Sequence, residues 1–374
     1  MSELGNDLDD LRPGAAGTPT GDRLIDRLLV RDWRPMAQVR VAETPVPLPR
    51  HPVVDVHNHL GRWLAEDGSW LAEVDDVLAL MADVGVQTIV NLDGRWGPEL
   101  AENLQRYDRA HPGRFVTFCH VDWALLRTLG PDEAVTALQQ QLAESAQAGA
   151  RGVKVWKDLG LQVTDGSGAR VMPDDPRVVA VLRTAGELGL PVLIHTADPV
   201  AFFAPLDATN ERVDELGAMP QWWFGDGRHP TFAELIASLD ALVEACAGTT
   251  FIGAHVGGWA EDLGGVGRML TARANWHVDL GGRLGEIGRQ PRAFAQFVTD
   301  FPDRVLFGTD AFPPEADAYR RFYRFLETDD DHFPYTDEEV PSQGRWAIYG
   351  CRLPDHLLQA VYSGNARRLL RLAD

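Results

Sequence analysis

The stretch VVDVHNH, residues 53–59, places an apolar run directly before two histidines. His57 and His59 are two residues apart, so on a strand both imidazoles point to the same side, as binding of a shared metal ion requires. One such pair is by itself a weak indication of a metal site. Its place at the end of the first apolar run adds weight, because parallel barrels carry their functional residues at the C-terminal ends of strands.

Seven further β-rich runs follow and alternate with longer amphipathic stretches, as in parallel strands joined by helices. Eight is the strand number of a closed α/β barrel. The sequence therefore predicts an α/β fold, a (β/α)8 TIM barrel with an N-terminal extension and long βα loops. The eight runs are VVDVHNH (53–59), QTIVNLDG (87–94), FVTFCHVDW (115–123), GVKVWKDLG (152–160), PVLIHTAD (191–198), TFIGAHVGG (250–258), NWHVDLGGR (275–283) and RVLFGTDAF (304–312).

Three regions are predicted along the chain. Residues 1–22 are acidic and rich in small residues, which favours a flexible leader, and residues 23–52 combine a short helix at LIDRLLVRDWRP with a proline-rich connector. The barrel is expected over residues 53–374. Two connections, after His195 and after Asp310, are longer than simple crossovers need, and such loops usually build sites in barrels.

The composition excludes several classes of function. A net charge of −20 opposes binding to nucleic acid and to anionic membrane surfaces. Three cysteines without a CxxC pair indicate neither a disulfide framework nor a thiolate zinc site. No secretory signal and no apolar stretch long enough to span a bilayer are evident, so we expect a cytoplasmic protein.

Three more polar residues end later strands in the same way: His195 in LIHTAD, His255 in IGAHVGG and Asp310 in LFGTDAF. Each histidine alone could equally be a core or surface residue, but together these strand ends are expected to converge on one mouth of the barrel. His120 and His277 lie within strand-like runs without matching a metal pattern, and they are interpreted as structural or supporting groups.

These motifs, together with the ending YSGNARRLL, resemble the amidohydrolase superfamily, and more narrowly its amidohydrolase-2 branch of decarboxylases, lactonases and hydratases. The resemblance covers nearly the whole barrel. It implies His57, His59, His195 and Asp310 as ligands of one divalent ion, with His255 and Asp310 as catalytic groups. Three imidazoles and a carboxylate suit zinc, with manganese, iron or cobalt as alternatives.

The run GVKVWKDLG adds Lys154 and Lys157 at the fourth strand, where some members of the superfamily carry a carboxylated bridging lysine. On a strand the two lysines face opposite ways. We expect Lys154 to be solvent-facing or ion-paired. Lys157 is nearer the strand end, and three roles stay open for it: a bridge to a second metal held by His195 and His255, an anchor for a substrate carboxylate, or an ordinary surface lysine.

Several residues are candidates for substrate binding, although salt bridges and packing are the commoner roles for such residues. Arg212 and Arg283 could hold a carboxylate through a bidentate contact. The first loop supplies Arg62 and Trp63, and Trp222, Trp223 and Trp259 could form an aromatic wall.

The expected reaction is hydrolysis of an amide or lactone in a small carboxylate-bearing substrate by metal-activated water. The alternative is non-oxidative decarboxylation of an aromatic or unsaturated acid, which would use the same residues. A catalytically silent protein on the same barrel is the third reading, and the intact set of ligands argues against it. The small-molecule substrate is the expected partner, and a homodimer is expected because barrels of this kind often pair.

Overall fold

The computed structural model describes residues 27–372, and the chain divides into two compact units after Gln38. In the first unit, the described residues 27–38 have a helical residue at Arg27 and one 3-10 turn, Val30–Asp32. Leu29 and Trp33 flank this turn with extended backbone, so the helix predicted over residues 24–35 is interrupted within its described part. The predicted leader, residues 1–22, lies outside the described residues.

The described part of the second unit contains eight strands, and each overlaps one of the eight predicted runs, with β2 beginning one residue before its run. All pairings between neighbouring strands are parallel. The strands are β1 Val53–Asn58, β2 Val86–Asn91, β3 Phe115–Thr117, β4 Val153–Val155, β5 Val192–Ile194, β6 Phe251–Gly253, β7 Trp276–Asp279 and β8 Val305–Leu306.

The strands form two sheets, ordered β1-β2-β3 and β4-β5-β6-β7-β8, and backbone hydrogen bonds connect the sheets at both seams. At one seam, the Cys119 amide donates to Gly152 (2.9 Å) and the Lys154 amide donates to Cys119 (2.7 Å). At the other, the Val56 amide donates to Phe307 (3.0 Å) and the Asp310 amide to His57 (2.8 Å). The strands therefore close into the predicted α/β barrel.

A helix of at least eight residues follows every strand, as the alternating pattern predicts. These are Val74–Asp83, Gly97–Leu104, Pro131–Ala148, Pro176–Glu187, Phe232–Ala245, Leu263–Ala272, Pro291–Asp300 and Ala316–Glu327. Shorter turns of α-helix are Leu125–Thr128, Val213–Ala218, Leu284–Ile287, Asp355–Gln359 and Asn365–Leu370, whereas the short segments Asp158–Leu161 and Ala254–Gly257 contain residues with non-helical backbone. Among the described residues, none of the helices has the length and apolar character needed to cross a membrane.

Local chemistry sets several of these helix ends. Thr231 and Glu234 form a reciprocal capping box at the start of Phe232–Ala245, which satisfies amide groups that the helix leaves unpaired. The Asp175 carboxylate accepts the Arg177 amide at the start of Pro176–Glu187. Gly149 ends Pro131–Ala148 with a positive φ of 118°, a conformation that glycine adopts without steric cost.

Two apolar clusters build the core, and their membership shows which way the strand residues face. The larger cluster packs the outer side chains of the strands against the helices and includes Val153, Val155 and Val192. The smaller cluster contains strand residues whose side chains point to the opposite face, such as Val54, Val90 and Leu193. It also contains Ala366 and Leu370 of the last helix. This smaller cluster fills the barrel interior. Polar side chains collect beyond it, at the C-terminal ends of the strands.

We predict that Gly253→Ala lowers the free energy of unfolding by about 1–3 kcal/mol, because the added methyl has no room. Gly253 ends β6, where a Cβ would overlap the Trp276 indole and lie 2.7 Å from the Gly257 Cα. The measurement is urea unfolding of both proteins. The control is Gly248→Ala, whose new Cβ would meet no heavy atom within 4 Å. Equal unfolding midpoints for the two variants would contradict the prediction.

Candidate metal centre

Three of the predicted ligands meet where the first and last strands end. His57 Nε2 and His59 Nε2 each lie 3.3 Å from Asp310 Oδ1. One potential ligand atom from each of the three residues lies within 4.8 Å of the other two. The imidazoles are almost fully buried, at 1% and 3% exposure, whereas the Asp310 side chain is 20% exposed. These donors suit a divalent ion such as zinc, and only the carboxylate faces the open mouth.

Two buried aspartates orient the imidazoles of this group. His57 Nδ1 lies 2.8 Å from Asp279 Oδ2, and His59 Nδ1 lies 2.7 Å from Asp93 Oδ1. A carboxylate at Nδ1 fixes the proton there and leaves the Nε2 lone pair for a metal. His57, His255 and Asp279 also have potential ligand atoms close together, but Asp279 already accepts hydrogen bonds from the backbone of His255 and Gly281. Asp279 is therefore better placed as an orienting group.

The charges of this group are strongly coupled. Burial works against the His59 imidazolium, but the Asp93 and Asp310 carboxylates raise its pKa to about 9 in the absence of a metal. Burial also opposes the charged form of Asp310, yet His57, His59 and His255 hold the pKa of that carboxyl well below its usual range. Asp310 is therefore ionised at neutral pH, as a metal ligand must be.

Lys154, rather than Lys157, lies beside these ligands. Val153 and Val155 face the outer core, so the residue between them faces the barrel interior, where Lys154 Nζ lies 3.3 Å from His57 Nε2. The side chain is buried, which contradicts the solvent-facing or ion-paired role expected for it. Within the described part of the chain, its Nζ has no carboxylate within 4 Å. Burial lowers the pKa of Lys154 to about 8, although Asp310 and Asp279 favour the charged form.

Lys157 lies just past the strand and points elsewhere. Its Nζ lies 2.6 Å from Asp198 Oδ2 and 5.4 Å from the ring centre of Trp222, and its side chain is 28% exposed. This ion pair is the ordinary role that the sequence left open for it. Because Lys157 lies beyond β4, strand alternation applies only to Lys154, and this earlier lysine is the one that faces the metal ligands.

His195 pairs with His255 instead of joining the first three residues. His195 Nδ1 lies 3.2 Å from His255 Nε2, while His255 Nδ1 lies 2.7 Å from the Gly281 carbonyl oxygen. Because that carbonyl can only accept, His255 carries its proton on Nδ1 and offers Nε2 as a lone pair. Burial, joined by nearby cationic side chains, holds the pKa of both histidines well below the usual range. Both imidazoles are therefore neutral at neutral pH.

The buried nitrogen His195 Nε2 makes no hydrogen bond within the described residues and lies 3.5 Å from Asp198 Oδ1. His255 and Val256 also have positive φ values of 61° and 57°, a conformation that non-glycine residues seldom adopt. Strain of this kind persists where the surroundings enforce it, often at functional sites. The donor set of His57, His59 and Asp310 fits a divalent ion, and His195 and His255 lie beside it as a pair of neutral imidazoles.

The sequence analysis missed the supporting carboxylates. Asp93 lies two residues past β2 and Asp279 ends β7, so their positions at strand ends were the available signal. Asp55 lies two residues before His57 on β1. Its carboxylate accepts hydrogen bonds from the His57 amide (3.0 Å) and the Thr309 hydroxyl (2.7 Å). Burial raises the pKa of Asp55 to about 6, with these hydrogen bonds opposing the shift.

The predicted substrate arginines separate into two kinds. Arg212 is buried in an ion-pair network with Glu215 and Glu286, so its charge is already compensated. Arg62 pairs with Glu102 at the surface. Arg283 is different, because its guanidinium donates to the Gly282 carbonyl (2.9 Å) and no carboxylate of the described residues lies within 4 Å of it.

Trp222 and Trp223, in the long loop after β5, and Trp259, after β6, pack locally. Trp222 stacks on Phe202, Trp223 donates to the Ala204 carbonyl, and Trp259 contacts Phe232. Trp63 instead donates to Asp93 Oδ1 (2.8 Å) and lines a cavity of about 300 Å³ beside the metal ligands. Of the four tryptophans expected to line the mouth, Trp63 lines this cavity, and Trp222, Trp223 and Trp259 do not.

Comparisons with known proteins agree with this architecture. Residues 54–372 match the family model described as amidohydrolase. A search of curated protein sequences found no match.

Three solved structures show the same fold over 86% of this chain. They are 2,6-dihydroxybenzoate decarboxylase from Rhizobium (16% identity, 99% of that chain covered, TM-score 0.52), a dihydroxybenzoic acid decarboxylase from Polaromonas sp. JS666 with bound manganese and 2-nitroresorcinol (14%, 97%, 0.54), and 5-carboxyvanillate decarboxylase from Sphingomonas paucimobilis (12%, 99%, 0.51). At these identities the likeness concerns the fold alone. The family match spans nearly the whole barrel, and the chain belongs to the amidohydrolase family of metal-dependent enzymes.

Proposed function

We propose that this protein is a metal-dependent hydrolase that cleaves an amide or lactone in a small carboxylate-bearing substrate. The observation that carries the proposal is the meeting of six potential ligands at one end of the barrel: His57, His59, Lys154, His195, His255 and Asp310. A divalent ion bound there lowers the pKa of water and polarises a carbonyl oxygen. Structural zinc sites are closed, whereas here the mouth stays accessible through Asp310.

The six side chains divide into two sets in this proposal. His57, His59 and Asp310 would hold one ion, and His195 with His255 would help to hold a second. Lys154, which contacts His57, would contribute as a carbamate formed with carbon dioxide. The proposal rests on the contact of its Nζ with His57, on its burial, and on the absence of a carboxylate partner among the described residues.

Asp310 has a second role in the reaction. Its Oδ1 faces both histidines of β1, while Oδ2 lies 3.8 Å from His255 Nδ1 and is less engaged. Because the surrounding imidazoles keep the carboxylate ionised, Asp310 can accept a proton as water attacks and return it to the leaving group. His255, held as a neutral imidazole by Gly281, keeps its Nε2 lone pair for the second ion in this arrangement.

Arg283 is proposed to bind the substrate carboxylate. It follows β7 and lies close enough to His195 and His255 to lower the pKa of both. A guanidinium at 9% exposure without a carboxylate partner in the described chain can form two parallel hydrogen bonds with a substrate carboxylate. Arg62 and Arg212 are not included in this role, since acidic residues already pair with them.

Non-oxidative decarboxylation of an aromatic acid is the second candidate reaction. The aromatic cavity beside the ligands supports it, because such a cavity suits a planar substrate. The two reactions differ in their products. Hydrolysis creates a new carboxylate, together with a free proton from a lactone or an ammonium group from an amide at neutral pH, whereas decarboxylation releases carbon dioxide.

We predict that the metal-loaded protein hydrolyses some members of a panel of small lactones and N-acyl amino acids, with the lactones followed by proton release in a pH-stat and the N-acyl amino acids by release of the free amine. Asp310→Asn should lower turnover about 10²–10⁴-fold because the proton acceptor is lost. His57→Ala should lose bound metal together with activity, and Asp132→Asn, on an exposed helix start, serves as the control. Release of carbon dioxide from dihydroxybenzoates without hydrolysis of any panel member would support the second candidate and reject the first.

A second prediction separates the two lysines. Lys154→Met should reduce bound metal from about two ions per chain to about one, since the bridging group is lost, whereas Lys157→Met should leave the metal content unchanged. The measurement is inductively coupled plasma mass spectrometry, with ¹³C NMR of protein prepared in labelled bicarbonate to detect the carbamate. If Lys154→Met keeps its full metal content and the wild-type protein shows no carbamate signal, the two-ion arrangement is wrong.

A further inference from the structure

The cavity beside the metal ligands has an unusual lining that the proposed hydrolysis does not use. It lies over the ends of β2, β3 and β4 and has a volume of about 300 Å³. Four tryptophans and two arginines account for much of its wall: Trp63, Trp96, Trp123, Trp156, Arg95 and Arg127. Flat aromatic walls of this kind suit a flat ligand, which can stack on them or meet them edge-on.

Contacts within the protein connect this cavity to the candidate metal centre. The Trp156 ring lies 4.9 Å from the His59 ring, centre to centre, and Lys154 Nζ lies 4.8 Å from the centre of the Trp156 ring. Lys154 and Trp156 both line the cavity. A substrate whose reacting end lies at the ligands can therefore extend its remaining part over Trp156 into the cavity.

Arg95 brings a cation into the aromatic wall. Its guanidinium lies 4.1 Å from the Trp96 ring centre and 5.3 Å from that of Trp63, which holds the side chain in place. The only carboxylate within 4 Å of it, among residues 27–372, is that of Glu99 at 3.8 Å. Its donors are therefore only weakly paired and can bind an anion that enters the cavity.

The backbone of Arg95 also indicates a position enforced by its surroundings. Its φ is 57°, in the left-handed region that a non-glycine residue seldom adopts. The Arg95 carbonyl accepts a hydrogen bond from the His120 amide (2.9 Å), which fixes this turn to the end of β3. His120 adds no positive charge of its own at neutral pH, because burial lowers its pKa to about 3.

Two carboxylates also line the cavity and must be set against the cations. Asp122 accepts the Ala124 amide (3.3 Å), and Asp158 accepts the Leu159 amide (3.0 Å). Burial raises the pKa of Asp158 to about 6. Arg95 and Arg127 equal these acidic groups in number, and both carboxylates already accept backbone amides.

We propose that this cavity binds the non-reacting part of the substrate, a planar aromatic ring that carries a second anionic group, and that Arg95 selects for that group. The inference rests on the proposed function, because it places the reacting end of the same substrate at the candidate metal centre. It makes Arg95 a specificity residue and the tryptophans the surface that favours a flat ring over a puckered one.

Binding of simple dicarboxylates tests this inference without requiring turnover. The probes are benzoate, isophthalate and cyclohexane-1,3-dicarboxylate, titrated by isothermal calorimetry into the metal-loaded full-length protein. We expect isophthalate to bind at least about tenfold more tightly than benzoate, as a charge-assisted hydrogen bond allows, and also more tightly than the puckered cyclohexane diacid. Arg95→Gln should abolish the preference for isophthalate while leaving benzoate affinity unchanged.

Two further variants control the experiment. Arg106→Gln removes an arginine that stacks similarly on Trp70, 4.6 Å from the ring centre, but lies outside the cavity, so it should keep the preference. Arg95→Lys should retain part of it, and unchanged benzoate affinity in both Arg95 variants confirms that they fold.

The inference is overturned if the wild-type protein binds isophthalate no better than benzoate, or if Arg95→Gln keeps the preference. Equal affinities for isophthalate and for the cyclohexane diacid would overturn the inference that the cavity prefers a planar aromatic ring. A clear preference in a protein that hydrolyses nothing in the panel would reject the proposed reaction and leave the anion site standing. Hydrolysis of panel members by a protein that shows no preference for isophthalate would support the proposed reaction and reject the anion site.

Discussion

The Asp55 carboxylate joins the first and last strands of the barrel at the level where the metal ligands begin. One oxygen accepts the amides of His57 and Thr309, and the other accepts the Asn58 side chain and the Thr309 hydroxyl. A buried carboxylate needs such compensation, because an unpaired charge in the interior is very unfavourable. The same hydrogen bonds therefore help to close the barrel and place Asp310 next to the two histidines of β1.

The site above Asp55 shows how a barrel can hold many polar groups in its interior. The lower part of the interior is apolar and is covered by Ala366 and Leu370 of the last helix. At the upper end, each imidazole has a specific partner: Asp279 for His57, Asp93 for His59 and Gly281 for His255. These partners determine which ring nitrogen carries the proton, and so which nitrogen can bind a metal.

The mouth of the barrel has two regions with chemically different side chains. The ends of β1, β5, β6 and β8 carry the potential metal ligands, while the loops after β2, β3 and β4 carry tryptophans and arginines. Lys154 on β4 lies where the two halves meet. This division would let the protein treat the reacting group and the rest of the substrate separately, so that selectivity can change through loop residues while the reactive centre stays the same.

The sequence by itself determined the barrel, the eight strands, and the strand-end positions of His57, His59, His195, His255 and Asp310. Alternation of apolar runs with helical patterns is a local signal, and side chains at the ends of parallel strands must share one mouth. Only the tertiary structure decided that His195 pairs with His255 and that Lys154 rather than Lys157 faces the ligands. It also decided that Glu286 compensates the charge of Arg212, and that Trp156 instead of Trp222 forms the aromatic wall. The physical reason is that these choices depend on the inward or outward direction of single residues and on partners far away in the chain, neither of which a local pattern contains.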